Sequence, residues 1–224
     1  APAVAPAAGV LPRDEVSAVR LYSGPAFQPI NNFLRQLSGL RGELQESLAM
    51  HPRCTFLATV GHICSAIRKL AAVATEEEAR QRLYRGVRGQ LPKGFFIPDA
   101  HGLCCAVETA FMSTSCDRDK AMDYAKHGGG AALLFEMALG MIDRGADISW
   151  LSQFSHEAEK LFPPLMAVEV LGTRVEGHVL LVQTRCALNM MALTLAQVGS
   201  RRRKLLVDMG AQMAAEVRKV VAPE

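Results

Sequence analysis

The sequence is poor in the features that mark disulfide-rich and membrane-spanning proteins. Its six cysteines are few for 224 residues and lack the paired spacing of structural zinc sites, so we expect free thiols. The longest apolar runs, at 131–135 and 188–195, are far shorter than the ~20 residues that span a bilayer. The first residues do not resemble a secretion signal. We therefore expect a soluble protein in the cytoplasm or another reducing compartment, with a secreted effector as the open alternative.

Strong charge and metal-ligand clusters are also missing. The formal net charge of +3 is too small to predict nucleic-acid binding, and the basic run 201–204 is typical of one solvated turn of a helix. No pair of histidines and no grouping of His, Asp and Glu has the spacing of metal ligands. We expect neither a nucleic acid nor a membrane as partner, and no metal.

What the sequence does contain is enough apolar residues for a sizeable core. Half of the chain is hydrophobic. We predict a flexible Ala/Pro-rich arm at 1–24 and a single domain at 25–224. Within this domain the pattern predicts a helical part at 25–80, a strand-rich core at 81–185 and C-terminal helices at 186–224. Strands flanked by helices indicate the α+β class.

The periodicity also predicts individual elements. Apolar residues recur at helical spacing between 27 and 75, and Thr75 followed by three glutamates is typical of a helix start. The predicted strands are 82–87, 110–115, 133–139, 160–162, 166–171 and 178–185. A helix at 117–126 is expected to begin at the cap Asp117 and to bury Ala121, Met122, Tyr124 and Ala125. After a break near Gly199, a last helix should carry Leu205, Leu206, Met209, Met213 and Val217.

Two acids near the end of the strand-rich core form the first candidate site. Glu157 and Glu159 are two residues apart, so on an extended strand their carboxylates would point to one face. The preceding loop carries the aromatic residue Phe154. Paired carboxylates suit proton transfer or stabilisation of a cationic transition state. The same spacing is common on solvated strand faces, which is the competing interpretation.

Two further stretches add polar groups to the core. Arg85 interrupts an apolar strand and needs an anion, and Gly86 after it would let a ligand approach the backbone. Ser113, Thr114 and Ser115 end a predicted strand, and alternation places Ser113 and Ser115 on one face. The structural alternatives are an internal ion pair for the arginine and a helix cap for the serines.

The order of these three stretches resembles a known series. The arginine, the Ser-Thr-Ser triplet and the Glu-x-Glu pair follow one another as in the arginine-specific mono-ADP-ribosyltransferases, the group of cholera toxin, the clostridial binary toxins and the vertebrate ecto-enzymes. The resemblance covers roughly residues 80–185. It implies two packed antiparallel sheets around a cleft that holds NAD, with helices outside.

The resemblance also implies roles for the residues that bind the cofactor. Arg85 would pair with the NAD phosphates, and backbone groups at Gly86 would hold the nicotinamide amide. Ser113 would orient the catalytic glutamate and the ribose, while Thr114 and Ser115 would support the NAD site.

The remaining implied roles belong to the acids and two aromatic residues. Glu159 would bind the ribose 2′-hydroxyl and stabilise the charge that develops as nicotinamide departs. Glu157 would engage the guanidinium of the acceptor, and Phe154 would contact the target protein. Tyr124 lies where some members place an aromatic ring over nicotinamide, although helix packing explains it equally well.

The sequence thus predicts transfer of ADP-ribose from NAD to an arginine-containing protein or a small guanidino compound. Two alternatives remain open at this stage. The first is an NAD glycohydrolase, in which water replaces the guanidinium. The second is a catalytically silent interaction module of the same fold.

Overall fold

The computed structural model describes residues 11–37, 56–87, 91, 93–98, 104–126, 132–139, 144–187, most positions from 199 to 214, and 218. Its α-helices are α1 (Arg13–Leu21), α2 (Phe27–Leu37), α3 (Leu57–Val73), α4 (Glu76–Arg80) and α5 (Arg118–Lys126). Its strands are β1 (Leu83–Val87), β2 (Cys105–Glu108), β3 (Met112–Ser115), β4 (Ala132–Ala138), β5 (Ala146–Asp147), β6 (Glu159–Phe162), β7 (Met166–Glu176) and β8 (Val179–Ala187). Among the described residues, no helix is both long and apolar enough to cross a membrane.

The predicted arm at 1–24 is wrong for its second half. The chain forms α1 directly after Pro12, whose ring fixes φ at a value compatible with a helix start, and acids in the first turn favour the positive helix end. A π-helical turn (Tyr22–Ala26) then leads into α2. Val19 and Tyr22 are buried in a core that includes α3, so this segment belongs to the domain. Residues 1–10 lie outside the described part.

The other predicted helices have mixed outcomes. Thr75 caps α4 and forms a reciprocal capping box with Glu78, as the sequence pattern indicates. The helical predictions for 38–55 and 188–198 lie outside the described residues. From 199 onward, the described positions are helical and exposed. Cys186 and Ala187, predicted to open the C-terminal helices, end strand β8 instead.

The predicted α+β class is confirmed, but the described strands form one sheet and not two. Its order is β2-β7-β8-β4-β1-β3-β6-β5. Strand β1 connects the four strands β2, β7, β8 and β4 to the three strands β3, β6 and β5, because it pairs with β4 on one side and with β3 on the other. All described pairs are antiparallel except β4 with β8. The short edge strands β2 and β5 were not predicted, since so few residues carry no clear alternation.

Apolar side chains of the sheet contribute to two core clusters. One cluster lies between the N-terminal helices and the sheet, and it includes Phe111, just before β3, and Leu161 of β6. A second cluster surrounds Met112 and Phe162, which alternate with these residues along β3 and β6. Strands β3 and β6 therefore have an apolar cluster on each face.

Candidate active site

Strands β1, β3 and β6 bring the predicted residues together. In the antiparallel pair of β3 and β6, Ser113 is opposite Leu161 and Ser115 is opposite Glu159. Because opposite residues share a face and side chains alternate along a strand, Ser113, Ser115 and Glu159 face the same side. Between β1 and β3 the described ladder has one pair, Tyr84 with Ser115.

Glu159, the first residue of β6, is the buried acid of the site. Only 6% of it is exposed, and it lies on the same face of the sheet as the Ser113 hydroxyl. Burial raises the pKa of Glu159 to about 6, and the charge of Glu157 adds to this rise. The Ser113 hydroxyl and the nearby Arg85 guanidinium lower the pKa of Glu159 by favouring the charged form. The result is a desolvated carboxyl group with a pKa of about 6.

Glu157 does not share a strand with Glu159, so the predicted geometry of the pair is wrong. It ends a 3-10 turn (Ser155–Glu157) and is exposed. Ala158 between the acids has a left-handed backbone, with φ of 47°. The Ser115 hydroxyl donates to the Glu157 carbonyl at 2.7 Å, and Cys116 N–H donates to the Ala158 carbonyl at 3.5 Å. These contacts place one acid in the interior and the other at the surface.

Ser115 and Thr114 support this arrangement from β3. Besides holding Glu157, the Ser115 hydroxyl accepts a hydrogen bond of 3.0 Å from the Asp117 N–H, before α5. The cap interpretation of this stretch is therefore also correct, since Asp117 accepts from Asp119 N–H at 2.9 Å. Thr114 is buried, and its hydroxyl donates to the Lys160 carbonyl at 2.9 Å. By alternation it points away from the face of Ser113 and Glu159.

Arg85 lies among these strands and is bonded to β3. Its Nη1 donates to the Ser113 carbonyl at 2.7 Å. Its Nη2 lies 3.8 Å from the Glu108 carboxylate, which also accepts from Arg35 Nη2 at 3.3 Å through both oxygens. The predicted internal ion pair therefore exists, but it is long. Two guanidinium groups converge on one carboxylate at the end of β2.

The N-terminal helical segment supplies the residues beside this cluster. Asn31 Nδ2 donates to the Tyr22 hydroxyl at 3.1 Å, and the Phe111 N–H donates to Asn31 Oδ1 at 3.2 Å. Burial raises the pKa of Tyr22 well above its usual range, with the charge of Glu159 as a smaller cause. A neutral phenol thus lies within electrostatic reach of Glu159 and Arg85.

Four residues near the site were missed by sequence reasoning: Tyr22, Asn31, Arg35 and Glu108. For Asn31 the sequence does contain a signal, because this polar residue lies on the apolar face of α2 with Ile30 and Leu34. A polar residue on a buried helix face requires a partner. For Glu108, a residue of a four-residue edge strand, the local pattern offered no such signal.

Gly86 and Tyr124 differ from their predicted surroundings. A Cβ at Gly86 would lie 2.1 Å from the Ala121 carbonyl oxygen and 2.9 Å from the Ala125 nitrogen. The glycine therefore permits close packing of α5 on β1, and its missing side chain does not face open space. Ala121 and Ala125 form the buried side of α5, whereas Tyr124 is 46% exposed, so its predicted burial is wrong.

Phe154 lies on the loop that precedes the two acids. It is 45% exposed and makes an edge-to-face contact with His156, with ring centroids 6.2 Å apart. Within the described part of the chain, no group of three or more His, Cys, Asp or Glu residues could hold a metal ion. The chemistry available here is that of a buried carboxylate, a guanidinium, a hydroxyl and an exposed acid.

The structure of this chain is similar to solved structures of ADP-ribosyltransferases. The ADP-ribosyltransferase HopU1 of Pseudomonas syringae pv. tomato DC3000 has a TM-score of 0.56 at 24% identity over 77% of this chain and 76% of that chain. The Vis toxin of Vibrio splendidus has 0.55 at 20% over 81% and 76%. Exoenzyme S of Pseudomonas aeruginosa has 0.52 at 19% over 85% and 84%. No protein-family model and no curated protein sequence matches. The chain has the fold of the ADP-ribosyltransferases.

Proposed function

We propose that this protein is a mono-ADP-ribosyltransferase that moves ADP-ribose from NAD to an arginine side chain and releases nicotinamide. The observation that carries this proposal is Glu159, a buried carboxylate with a pKa of about 6 that lies on the same face of the sheet as Ser113. The charge of Glu157 raises the pKa of Glu159, and the charge of Arg85 lowers it. The fold shared with bacterial ADP-ribosyltransferases supports the same chemistry.

Arg85 is suited to bind the diphosphate of NAD. A guanidinium has five N–H donors in a planar fork, so the bond from Arg85 to the Ser113 carbonyl leaves donors for a phosphate. The long 3.8 Å pair with Glu108 is a weak competitor for the same group. Exoenzyme S, a neighbour in fold, has been solved bound to carba-NAD. We therefore assign phosphate binding to Arg85.

Glu159 is suited to the bond-breaking step. Cleavage between ribose and nicotinamide leaves positive charge on the ribose. A carboxylate that is already fixed and desolvated stabilises this charge without reorganisation. Ser113 lies on the same face as the Glu159 carboxylate, and the β3–β6 ladder fixes the backbone of both residues. We assign the catalytic role to Glu159 and its orientation to Ser113.

Glu157 is suited to the acceptor because it is exposed. A carboxylate forms bidentate hydrogen bonds with a guanidinium and assists its deprotonation. Vis, a fold neighbour with a TM-score of 0.54 at 18% identity over 83% of this chain and 80% of that chain, has been solved in complex with agmatine, a guanidino compound. We assign acceptor binding to Glu157 and contact with a target protein to Phe154.

The remaining predicted residues take supporting roles. Ser115 fixes the backbone of Glu157, and Thr114 joins β3 to β6 through Lys160. Gly86 would contribute backbone groups to the nicotinamide amide while it packs against α5. A contact between Tyr124 and nicotinamide stays a prediction.

The experiment that tests the proposed function uses NAD labelled in its adenylate part. The protein is incubated with labelled NAD and agmatine, and the products are separated. We expect labelled ADP-ribosyl-agmatine together with free nicotinamide. Release of free ADP-ribose alone would identify a glycohydrolase instead. No turnover and no thermal stabilisation by NAD would indicate a silent module.

A further inference from the structure

The loop that carries Phe154 and Glu157 is attached at its start to the end of α1. Gln153 Nε2 donates to the Arg20 carbonyl at 2.7 Å, and the Gln153 N–H donates to Ser23 Oγ at 3.0 Å. Arg20 Nη1 donates to the Leu151 carbonyl at 3.2 Å. Three hydrogen bonds thus join segments that are about 130 residues apart in sequence. We call this contact the loop clamp.

The backbone around Gly24 shapes the place that receives Gln153. Gly24 has φ of −100° and ψ of −162°, which are not helical, and the Arg20 carbonyl that Gln153 contacts also accepts a hydrogen bond of 3.1 Å from Ser23 Oγ. A Cβ at Gly24 would lie 2.4 Å from Gln153 Nε2. The kink therefore presents a carbonyl to the Gln153 amide, and the missing side chain makes room for it.

The α1 side of the loop clamp is itself firmly held. Glu15 is 2% exposed, and its carboxylate accepts hydrogen bonds from Ser65 Oγ at 2.7 Å and Lys69 Nζ at 2.9 Å on α3. Val19 is completely buried. Since α1 is fixed in the core, the loop clamp connects the loop to a rigid support.

The far end of the same loop is fixed independently by Ser115, which holds the Glu157 carbonyl. Only the segment from Phe154 to Glu157 lies between the two attachments, and it is exposed. We propose that Gln153 is a positioning residue that, through the Arg20 carbonyl, sets Phe154 and Glu157 for the acceptor. This inference rests on the proposed function. A loosened loop clamp then diverts ADP-ribose from the guanidinium to water.

The test compares Gln153→Ala, Gln153→Glu and Gly24→Ala with the wild type. The glutamate variant keeps the length but cannot donate to the Arg20 carbonyl. Gly24→Ala places a Cβ against the exposed Gln153 side chain and so displaces its amide. We expect the KM for agmatine to rise about 2- to 10-fold, the range of one lost hydrogen bond. The kcat/KM for NAD hydrolysis should stay within about twofold of wild type. Gln28→Ala, an exposed glutamine on α2, is the matched control.

A second measurement needs no activity. Amide hydrogen exchange across 151–157 should accelerate in Gly24→Ala and remain at the wild-type rate in Gln28→Ala. Unchanged exchange, an unchanged KM for agmatine, or a parallel loss of transfer and hydrolysis would overturn the positioning role. Faster exchange in a protein whose wild type transfers nothing would confirm the loop clamp as a structural contact and reject the proposed function.

Discussion

The strand half of the candidate site, Arg85, Ser113 and Glu159, differs from its loop half, Phe154 and Glu157, in burial and in support. Glu159 is buried on β6 and its pKa is raised to about 6. Glu157, two residues earlier, is exposed in a 3-10 turn. Burial strengthens the interaction of a carboxylate with a charge inside the protein, whereas exposure lets a carboxylate reach a macromolecule. The same side-chain type can therefore serve two partners.

The two halves also differ in how the chain holds them. Ser113 and Glu159 belong to the β3–β6 ladder, and the Glu159 carbonyl also accepts a hydrogen bond of 3.1 Å from the Ile148 N–H. The loop half depends on hydrogen bonds at its ends, from Ser115 to Glu157 and from Gln153 to Arg20. Changes in the loop should therefore alter the acceptor step and leave NAD cleavage intact. The following predictions test this separation.

The largest expected effect comes from Glu159→Gln. The amide keeps the size of the side chain but cannot supply the charge that opposes the cationic transition state. We expect both transfer and hydrolysis to fall by about 10³-fold or more, measured as nicotinamide release. Glu77→Gln, an exposed glutamate on α4, should behave like the wild type. Retained hydrolysis in Glu159→Gln would show that the buried acid is not catalytic.

The second prediction concerns the exposed acid. Glu157→Ala should reduce transfer to agmatine by about 10²-fold, since assistance to deprotonation of the acceptor is lost. Hydrolysis of NAD should remain within about threefold of wild type, because Glu159 and Ser113 stay in the ladder. Both activities are measured in one reaction with labelled NAD. An equal loss of the two would remove the division of roles between the acids.

The strand half could be predicted from the sequence, because strand residues follow a period of two. Spacing alone placed Ser113 and Ser115 on one face, and the structure agrees. The loop half could not be predicted in this way. Ala158 adopts a left-handed backbone that breaks the period between Glu157 and Glu159. Such a conformation depends on contacts from Ser115, which is distant in sequence.

The same limit applies to the helical part of the site. Tyr22 and Arg35 lie far from the predicted motifs in sequence and approach them only because the N-terminal helices pack on the sheet. Local patterns predict that a helix forms and which face is apolar, but not which strand it covers. The α1 segment was missed for a simpler reason. Its Pro12, Asp14 and Glu15 are a helix-start pattern that adjoins an Ala/Pro-rich stretch.

The third prediction concerns the pH dependence of NAD hydrolysis and the effect of Glu157 on it. In the proposed mechanism Glu159 acts as a carboxylate anion, and its pKa is about 6. The kcat/KM for NAD hydrolysis should therefore fall about tenfold per pH unit below pH 6 and level off above it. Because the charge of Glu157 raises the pKa of Glu159, Glu157→Ala should move the midpoint to lower pH. A midpoint that does not move would contradict the coupling between the acids.

The smallest expected effect is on stability, and it has the opposite sign to the effect on activity. The folded protein binds the Glu159 proton more tightly than the unfolded chain, whose glutamate has the ordinary value of 4.5. Stability should therefore fall as pH rises from 4.5 to about 6, and the full cost is present above pH 6. Glu159→Gln has no charge to bury and should raise the free energy of unfolding at pH 8 by about 2 kcal/mol. Urea unfolding at pH 8 and pH 4.5 measures this, with Glu77→Gln as control. A gain that persists at pH 4.5 would mean that packing or hydrogen bonding, and not the buried charge, distinguishes the two proteins.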